Sequence, residues 1–170
     1  MSDDVVVVDE NDLFIRNAPR KQVHQSDEWH RGVHCFLFNA KGELLVMLRS
    51  AEKDKYPLHW ECLSEHVNPG ESYEEALRRG LSEELGITNI GLKKFVKFRM
   101  HYGPGDNMVA ELYTGEAEGY EHLHTSEVER AKFRPVAGIK RDIDNGNYTP
   151  WFKAMFKHYM GMPSPIIVMQ

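Results

Sequence analysis

Two adjacent glutamates, Glu83 and Glu84, are the side chains whose type and spacing most clearly suggest chemistry. On a helix, where successive residues are about 100° apart, they flank Gly80 on one wall, and Glu84 lies beside Leu77 at the edge of an apolar stripe. Carboxylates at a core boundary repel each other and resist desolvation unless a positive charge compensates them. Mg²⁺ can compensate them, because it binds one or two carboxylates and leaves positions for water and phosphate oxygens. A lone glutamate pair is more often simply solvated, so the surrounding sequence pattern must show whether this pair binds a metal.

The helix that must carry this pair has well-defined ends in the sequence. Ser72 and Glu75 form a capping box, and Gly86 occupies the position of a left-handed C-terminal cap. Leucines at intervals of four residues give the helix one buried face. The pattern therefore predicts a helix over residues 73–85.

The other elements are those of a mixed α/β domain. Strands are predicted at residues 5–8, 34–38, 43–48, 95–102 and 108–115, and helices at residues 135–144 and 150–159. The second and third strands are expected to form a hairpin that turns at Gly42, and Thr149 is expected to cap the last helix, whose aromatic stripe packs against the sheet. Strands followed by packed helices indicate an α/β sandwich.

The spacing around the glutamate pair resembles the signature of the Nudix family, G-x5-E-x7-R-E-U-x-E-E-x-G-U, where U is an aliphatic residue. Seven of the nine specified positions agree, namely Glu71, Arg79, Leu81, Glu83, Glu84, Gly86 and Ile87. The box spans residues 65–87, and the resemblance extends over roughly residues 30–160. It implies a single domain over residues 1–170 with the Nudix fold, an α/β/α sandwich with a mixed β-sheet.

The resemblance also implies a reaction and a set of roles. Glu83 and Glu84 would bind Mg²⁺ or Mn²⁺, and Glu71 and Arg79 would form an ion pair that supports the helix, which Gly86 ends. The implied activity is metal-dependent hydrolysis of a diphosphate linkage in a small nucleoside-diphosphate-type metabolite.

Other residues are candidates for the general base and for substrate binding. The candidate bases are Glu111, Glu127 and Glu129, and the candidate substrate-binding residues are Arg49, Lys53, Lys55 and His66. Glu111 is slightly preferred as the base because it alternates along a strand that faces the same region. The basic residues fit a surface role equally well.

Two positions depart from the signature. Glu65 replaces the first glycine, and Gly80 replaces the glutamate expected directly after Arg79. One hypothesis is a relocation, in which the carboxylate of Glu65 enters the space that Gly80 leaves and serves as a catalytic metal ligand. The alternative is that Glu65 points to solvent and the box has decayed, and the sequence leaves both open.

The chain also resembles isopentenyl diphosphate isomerase, in the segments HRGVHCFLFNAKGELLV, RSAEKDKYPLHW and EVERAKFRPV. Residues near the metal ligands of that enzyme are His24, His30, His66 and Glu111. Its catalytic cysteine would fall near Ser64, and the partner of its active-site glutamate at Val109, so both groups are missing here. Isomerase activity is the first alternative, and a non-catalytic ligand-binding module is the second. A zinc site including His34, Cys35 and Cys62 is not favoured, because the spacings are irregular.

Composition limits the partners. The 21 basic and 26 acidic residues give a net charge of −5, which disfavours nucleic acid, and no apolar run is long enough to cross a bilayer. Two cysteines and an N-terminal segment unlike a secretory signal indicate a cytoplasmic protein without a membrane partner. The expected partner is a small phosphorylated metabolite, and a homodimer is compatible with the sequence.

Overall fold

A mixed β-sheet with helices on both faces forms the fold in the computed structural model, which describes residues 3–170. The strands are β1 (Asp4–Val8), β2 (Phe14–Pro19), β3 (Trp29–Phe38), β4 (Leu44–Arg49), β5 (Trp60–Glu61), β6 (Leu63–His66), β7 (Leu92–His101), β8 (Asn107–Glu116), β9 (Val128–Arg134) and β10 (Ile167–Met169). The helices are α1 (Arg20–His24), α2 (Tyr73–Leu85), α3 (Val136–Asp142) and α4 (Pro150–Tyr159). The predicted α/β/α sandwich with a mixed sheet is confirmed.

The strand order places the chemistry-bearing segments at a split in the sheet. The main path runs β10-β7-β8-β3-β1-β2, with β3 and β8 parallel and the other pairs antiparallel. Strand β6 pairs with β3, whereas β5, directly before it in the chain, pairs with β4, which also pairs with β9. The sheet therefore opens where the chain passes from β5 to β6.

The predicted hairpin between β3 and β4 is only partly correct. The chain does turn at Gly42, whose φ of 76° requires the left-handed region. However, the two strands pair only at Phe38 and Leu44. They diverge beyond that point because β8 and β6 pair with β3, while β9 and β5 pair with β4.

Each face of the sheet has its own apolar core. The leucine face of α2 is fully buried and packs with Val33, Leu63 and Val109 on one side. The aromatic residues of α4 pack on the other side with Phe36 and Phe98. Both helices therefore bury the faces that their sequence patterns predict.

Helix α2 has both of the predicted caps. The Ser72 side chain accepts a hydrogen bond from the Glu75 backbone, the Glu75 side chain accepts one from the Ser72 backbone, and Gly86 lies in the left-handed region with φ of 66°. The last helix, α4, is capped by the Thr149 side chain. Among residues 3–170, no helix combines the length and apolar character needed to cross a membrane.

Candidate active site

The side chain of Glu65 lies directly against Gly80 of α2. A Cβ atom on residue 80 would lie 2.3 Å from Cγ and 3.0 Å from Cδ of Glu65, closer than non-bonded carbon atoms approach. A glycine inside a helix costs about 1 kcal/mol relative to alanine. Here the cost has a local reason, because only glycine leaves room for the Glu65 side chain. This is the placement that the relocation hypothesis requires.

The carboxyl groups of Glu65 and Glu84 are mostly buried, with side chains 16% and 14% exposed, and lie near enough to interact electrostatically. Burial, followed by the charge of Glu84, raises the pKa of Glu65 above its ordinary range. Burial and then the charge of Glu127 raise the pKa of Glu84. Two neighbouring buried carboxylates repel each other when both are ionised, so the pair favours binding a proton or a cation.

Arg79 connects the box residues to β6. Its guanidinium donates to both carboxylate oxygens of Glu71, at 2.8 and 3.1 Å, and to the backbone carbonyl of His66 at 2.8 Å. It also lies 3.4 Å from Glu65 and 3.6 Å from Glu83. The Glu83 side chain is 58% exposed, whereas that of Glu84 is 14% exposed. Glu84 is therefore the inner carboxylate of the adjacent pair, and Glu83 lies at the rim.

A small polar cavity opens beside Glu84 at the split in the sheet. It is lined among others by Arg49, Lys53, Glu61, Ser64, Glu84 and Glu127. Lys53 and Glu127 form a close ion pair. The guanidinium of Arg49 is held by Glu61 at 2.7 Å and by two backbone carbonyls, and it stacks on Trp151. The guanidinium of Arg49 is thus held by more contacts than the ammonium group of Lys53.

The other two predicted base candidates make contacts elsewhere. Glu111 is buried, accepts a hydrogen bond from the Tyr113 hydroxyl at 2.7 Å and pairs with Lys94 at 3.4 Å. Glu129 accepts a hydrogen bond from the backbone of Ala51. In the described part of the chain, neither glutamate has a contact with the box carboxylates.

Sequence reasoning missed His124, which approaches Glu84 from the loop between β8 and β9. Its backbone N–H donates to the Glu84 carbonyl at 3.0 Å, and its Nδ1 lies 3.9 Å from the Glu84 carboxylate. The same loop caps the last turn of α2 through Glu121 and His122. No spacing rule identifies these residues, because the loop is far from α2 in the sequence.

Three histidines form a second cluster, close to the first site. His24, His30 and His66 each offer a ring nitrogen within 4.8 Å of the other two. Neither ring nitrogen of His30, and not Nε2 of His66, has a hydrogen-bond partner in residues 3–170. Burial lowers the pKa of His30 to about 3 and that of His66 far below its ordinary value, so both rings are neutral at pH 7.

The carboxylate nearest to this cluster is Asp106, not the expected Glu111. Its Oδ1 lies 3.8 Å from Nε2 of His30, and the residue is 7% exposed. Glu111 instead belongs to the opposite face of β8, with Val109 and Tyr113. Asp106 comes from the turn between β7 and β8, where the sequence shows turn formers but no ligand pattern.

The two clusters suit different cations. The Glu65 and Glu84 carboxyl pair offers hard oxygen ligands, which fit Mg²⁺ or Mn²⁺. Neutral imidazoles with unpaired nitrogens, together with one carboxylate, fit Zn²⁺ or another first-row transition metal. Buried polar atoms without partners are rare and costly, and a bound cation would satisfy those of His30 and His66.

Comparisons with known proteins show which family and fold the chain resembles. The NUDIX domain model matches residues 28–152. An uncharacterized Nudix hydrolase of Pseudomonas aeruginosa is 31% identical over 135 residues, which are 78% of this chain and 79% of that protein. Isopentenyl-diphosphate Delta-isomerase 2 of Photorhabdus laumondii is 30% identical over 161 residues, or 90% of each protein. A crystal structure from Deinococcus radiodurans has a TM-score of 0.78 at 18% identity and covers 91% of this chain and 98% of its own.

Proposed function

Because the chain belongs to the Nudix family, we propose that it hydrolyses a diphosphate linkage in a small nucleoside-diphosphate-type metabolite and that this reaction depends on Mg²⁺. The observation that carries the proposal is the position of Glu65, which packs against Gly80 of α2 so that two mostly buried carboxyl groups, those of Glu65 and Glu84, lie near each other. The small-molecule partner, the cytoplasmic location and a homodimer stay predictions.

The residues divide into an inner and an outer group. Glu65 and Glu84 would hold Mg²⁺ or Mn²⁺, and the exposed Glu83 would complete the anionic rim. The cation, when bound, would neutralise charge on the diphosphate and polarise a water molecule. Arg79 keeps Glu65 in place by bonding both Glu71 and the His66 backbone.

Glu127 is the side chain that we propose as the general base, ahead of Glu111. Burial by itself would raise the pKa of Glu127, but the hydrogen bond and charge of Lys53 outweigh burial and hold the pKa below its ordinary value. Glu127 is therefore an ionised carboxylate in the cavity that contains Glu84. If substrate phosphate draws Lys53 away, the freed carboxylate can accept a proton from an attacking water.

Metal titration separates an enzyme from a binding module. Thermal stability with Mg²⁺ or Mn²⁺ would be measured first, and phosphate or nucleotide release would then be followed across nucleoside diphosphate sugars, dinucleoside polyphosphates and dinucleotide cofactors. We expect stabilisation by the metal and metal-dependent release from at least one class. Stabilisation without release from any class would support the non-catalytic module instead.

The relocation of the carboxylate is tested by restoring the family signature. Glu65→Gly alone should abolish hydrolysis, because the inner pair loses one carboxylate. Gly80→Glu alone should crowd the Glu65 side chain, which already occupies that space. The double variant should regain the activity of the parent, since the number of carboxylates is conserved. Hydrolysis that survives Glu65→Gly would refute the relocation.

A second candidate function rests on the histidine cluster. His24, His30 and His66 converge as the resemblance to isopentenyl diphosphate isomerase implies, and isomerases are among the relatives. Against it, Ser64 stands near the place of the isomerase cysteine. Incubation with isopentenyl diphosphate and Mn²⁺ or Zn²⁺ distinguishes an isomerase from a hydrolase, because an isomerase would form the allylic isomer without releasing phosphate. We expect no isomerisation.

A further inference from the structure

The turn between β1 and β2 places a carboxylate against two basic side chains on the α2 face of the sheet. Nε of Arg31 donates to Oδ1 of Asp12 at 2.6 Å, and the ammonium group of Lys97 donates to Oδ2. The two cations also lie over the ring of Tyr73, at 5.6 and 5.2 Å from its centroid. None of these four side chains has a part in the proposed reaction.

One hydrogen-bond donor of this cluster has no acceptor. The hydroxyl oxygen of Tyr73 is buried and has no hydrogen-bond partner among residues 3–170. Burial and then the charge of Asp12 raise the pKa of Tyr73, so the hydroxyl keeps its proton and lies near the carboxylate. Each oxygen of Asp12 already accepts from one cation. The carboxylate therefore satisfies two donors and leaves the third without an acceptor, which is costly in a buried place.

A phosphate group matches these donors better than a carboxylate does. It carries about two negative charges at neutral pH and offers three acceptor oxygens, against one charge and two oxygens for Asp12. Arg31 and Lys97 supply two positive charges, and their hydrogen bonds to phosphate are short and strong. The next carboxylate, Glu111, is paired with Lys94 at 3.4 Å. One phosphate group therefore provides an acceptor oxygen for each of the three donors.

Little besides the bonds of Asp12 holds the turn against the sheet. Asp12 has a φ of 68°, a left-handed conformation that favours glycine. Leu13 and Phe14, which follow it, are 64% and 61% exposed and contribute little packing. One further tie is the exposed hydrogen bond from Arg99 to the Glu10 carbonyl. A turn with so few buried contacts opens at low cost in free energy.

We propose that Arg31, Lys97 and Tyr73 form a second anion site, for a phosphate group, and that Asp12 is a built-in competitor that occupies this site in the free protein. The phosphate group binds when the β1–β2 turn moves away from the sheet. It belongs either to inorganic phosphate or to a phosphorylated ligand such as a nucleoside monophosphate. The three donors need no divalent cation, so occupancy of this site is independent of the proposed hydrolysis.

Calorimetric titration with inorganic phosphate, in the presence of a chelator, tests the site. Asp12→Gly removes the competing carboxylate, and glycine adopts a φ of 68° without strain. This variant should bind phosphate about tenfold or more tightly than the parent. Asp54→Asn, which removes one negative charge at an exposed position, is the control and should bind like the parent. An Asp12→Gly variant that binds no more tightly than the parent would overturn the proposal.

A second substitution in the Asp12→Gly background tests which side chains bind the phosphate. Lys97→Met removes the ammonium group but keeps most of the side-chain length, so the affinity should fall about ten- to a hundredfold. Lys93→Met, at an exposed position of the same strand, is the matched control and should keep the affinity. An affinity that Lys97→Met leaves unchanged would show that phosphate binds elsewhere and would refute the site.

The same titrations with adenosine monophosphate identify the source of the phosphate group. Binding tighter than that of inorganic phosphate would support a nucleotide ligand, and weaker binding would support free phosphate.

Thermal unfolding gives a second measurement and shows whether the variant is folded. Without phosphate, Asp12→Gly should melt below the parent, because it loses the bonds to Arg31 and Lys97. Phosphate should raise the melting temperature of this variant more than that of the parent, since it binds the folded state. If chloride at the same ionic strength reproduced that difference, the effect would be general screening and the proposal would fail.

Discussion

Glu65 and His66 are consecutive residues of β6, yet they belong to two sites with opposite electrostatics. Glu65 packs onto α2 and meets Glu84, whereas His66 stacks on His30. Side chains alternate between the faces of a strand, so adjacent residues serve different sites. In both sites, buried side chains lack a full set of compensating charges or hydrogen-bond partners. The carboxyl groups of the first site become negative when they ionise, whereas burial keeps the histidines of the second site from becoming positive.

Because of this difference, we expect the two sites to select two kinds of cation. The carboxyl pair repels itself when ionised, so a hard, doubly charged cation relieves the repulsion. The histidines are already neutral, so a cation there gains ligand lone pairs without displacing protons at pH 7. The carboxylate site should therefore govern hydrolysis, and the histidine site should govern stability and metal preference.

The largest expected effect is the loss of hydrolysis on Glu84→Gln. This change removes the inner carboxylate charge but keeps the side-chain volume, so kcat should fall about a hundred- to a thousandfold. Glu74→Gln, at an exposed position of the same helix, is the matched control and should keep the parent rate. Steady-state kinetics at saturating Mg²⁺ measures both. A Glu84→Gln variant within about threefold of the parent would exclude the carboxyl pair as the catalytic metal site.

The pH dependence of stability should distinguish the two sites in the metal-free protein. The pKa of Glu65 rises from 4.5 to about 8, so the folded state binds the extra proton and the free energy of unfolding falls as pH rises through that window. The pKa of His30 falls from 6.5 to about 3, so stability falls as pH drops below 6.5. A pKa change of about 3.5 corresponds to at most about 5 kcal/mol for each group.

Denaturant titrations with a chelator present, repeated across this pH range, measure both trends. Glu65→Gln should reduce only the loss of stability as pH rises from 4.5 to 8, and His30→Leu should reduce only the loss below pH 6.5; part of each loss should remain, because Glu84 and His66 keep their own shifted pKa values. A variant that reduces both losses would mean that the two sites are not electrostatically independent.

His30→Leu should stabilise the metal-free protein at pH 7, by about 1–2 kcal/mol, because it replaces two unpaired buried nitrogens with an apolar side chain. The same variant should lose the rise in melting temperature that Zn²⁺ gives the parent. Calorimetry with and without Zn²⁺ measures both effects. A variant that is less stable without metal, or that keeps the Zn²⁺ response, would contradict the histidine site.

The effect of Gly80→Ala on the free energy of unfolding should change sign with the residue at position 65. In the parent the new methyl group collides with the Glu65 side chain and should lower the free energy of unfolding. In Glu65→Gly the space is free, and alanine should stabilise the helix by about 1 kcal/mol. Urea unfolding of the four proteins measures the coupling. Equal effects in both backgrounds would mean that Glu65 does not occupy the space beside Gly80.

The sequence predicts α2 closely because all of its determinants are local. Ser72, Glu75 and Gly86 set the ends within the helix itself, and the leucine stripe sets the buried face. Strands β5, β6 and β9 were not predicted, because β5 and β6 are short and β9 is largely polar, and their partners β3 and β4 are distant in the chain. Pairing over long range leaves no periodic signal in such segments.

The candidate site is predictable only where a signature fixes spacing. The spacing of the signature predicts the face of α2 that carries Glu84. The direction of the Glu65 side chain, by contrast, depends on tertiary packing against Gly80. The histidines converge from α1, β3 and β6, and Asp106 joins them from a turn. No interval along the chain encodes that convergence, so only the resemblance pointed to the histidines and nothing pointed to Asp106.

The smallest expected effect belongs to Glu111, which the sequence favoured as the base. Its carboxylate is held by Tyr113 and Lys94, and it has no contact with the box carboxylates within residues 3–170. Glu111→Gln should therefore change kcat less than about threefold, whereas Glu127→Gln should lower it about a hundredfold, the lower end of the range typical for loss of a general base. Rates measured from pH 6 to 9 sharpen the test, because only the loss of the true base removes the acid limb of the pH profile. A larger loss of kcat for Glu111→Gln than for Glu127→Gln would mean that Glu111 is the base and that the attacking water binds near Glu111.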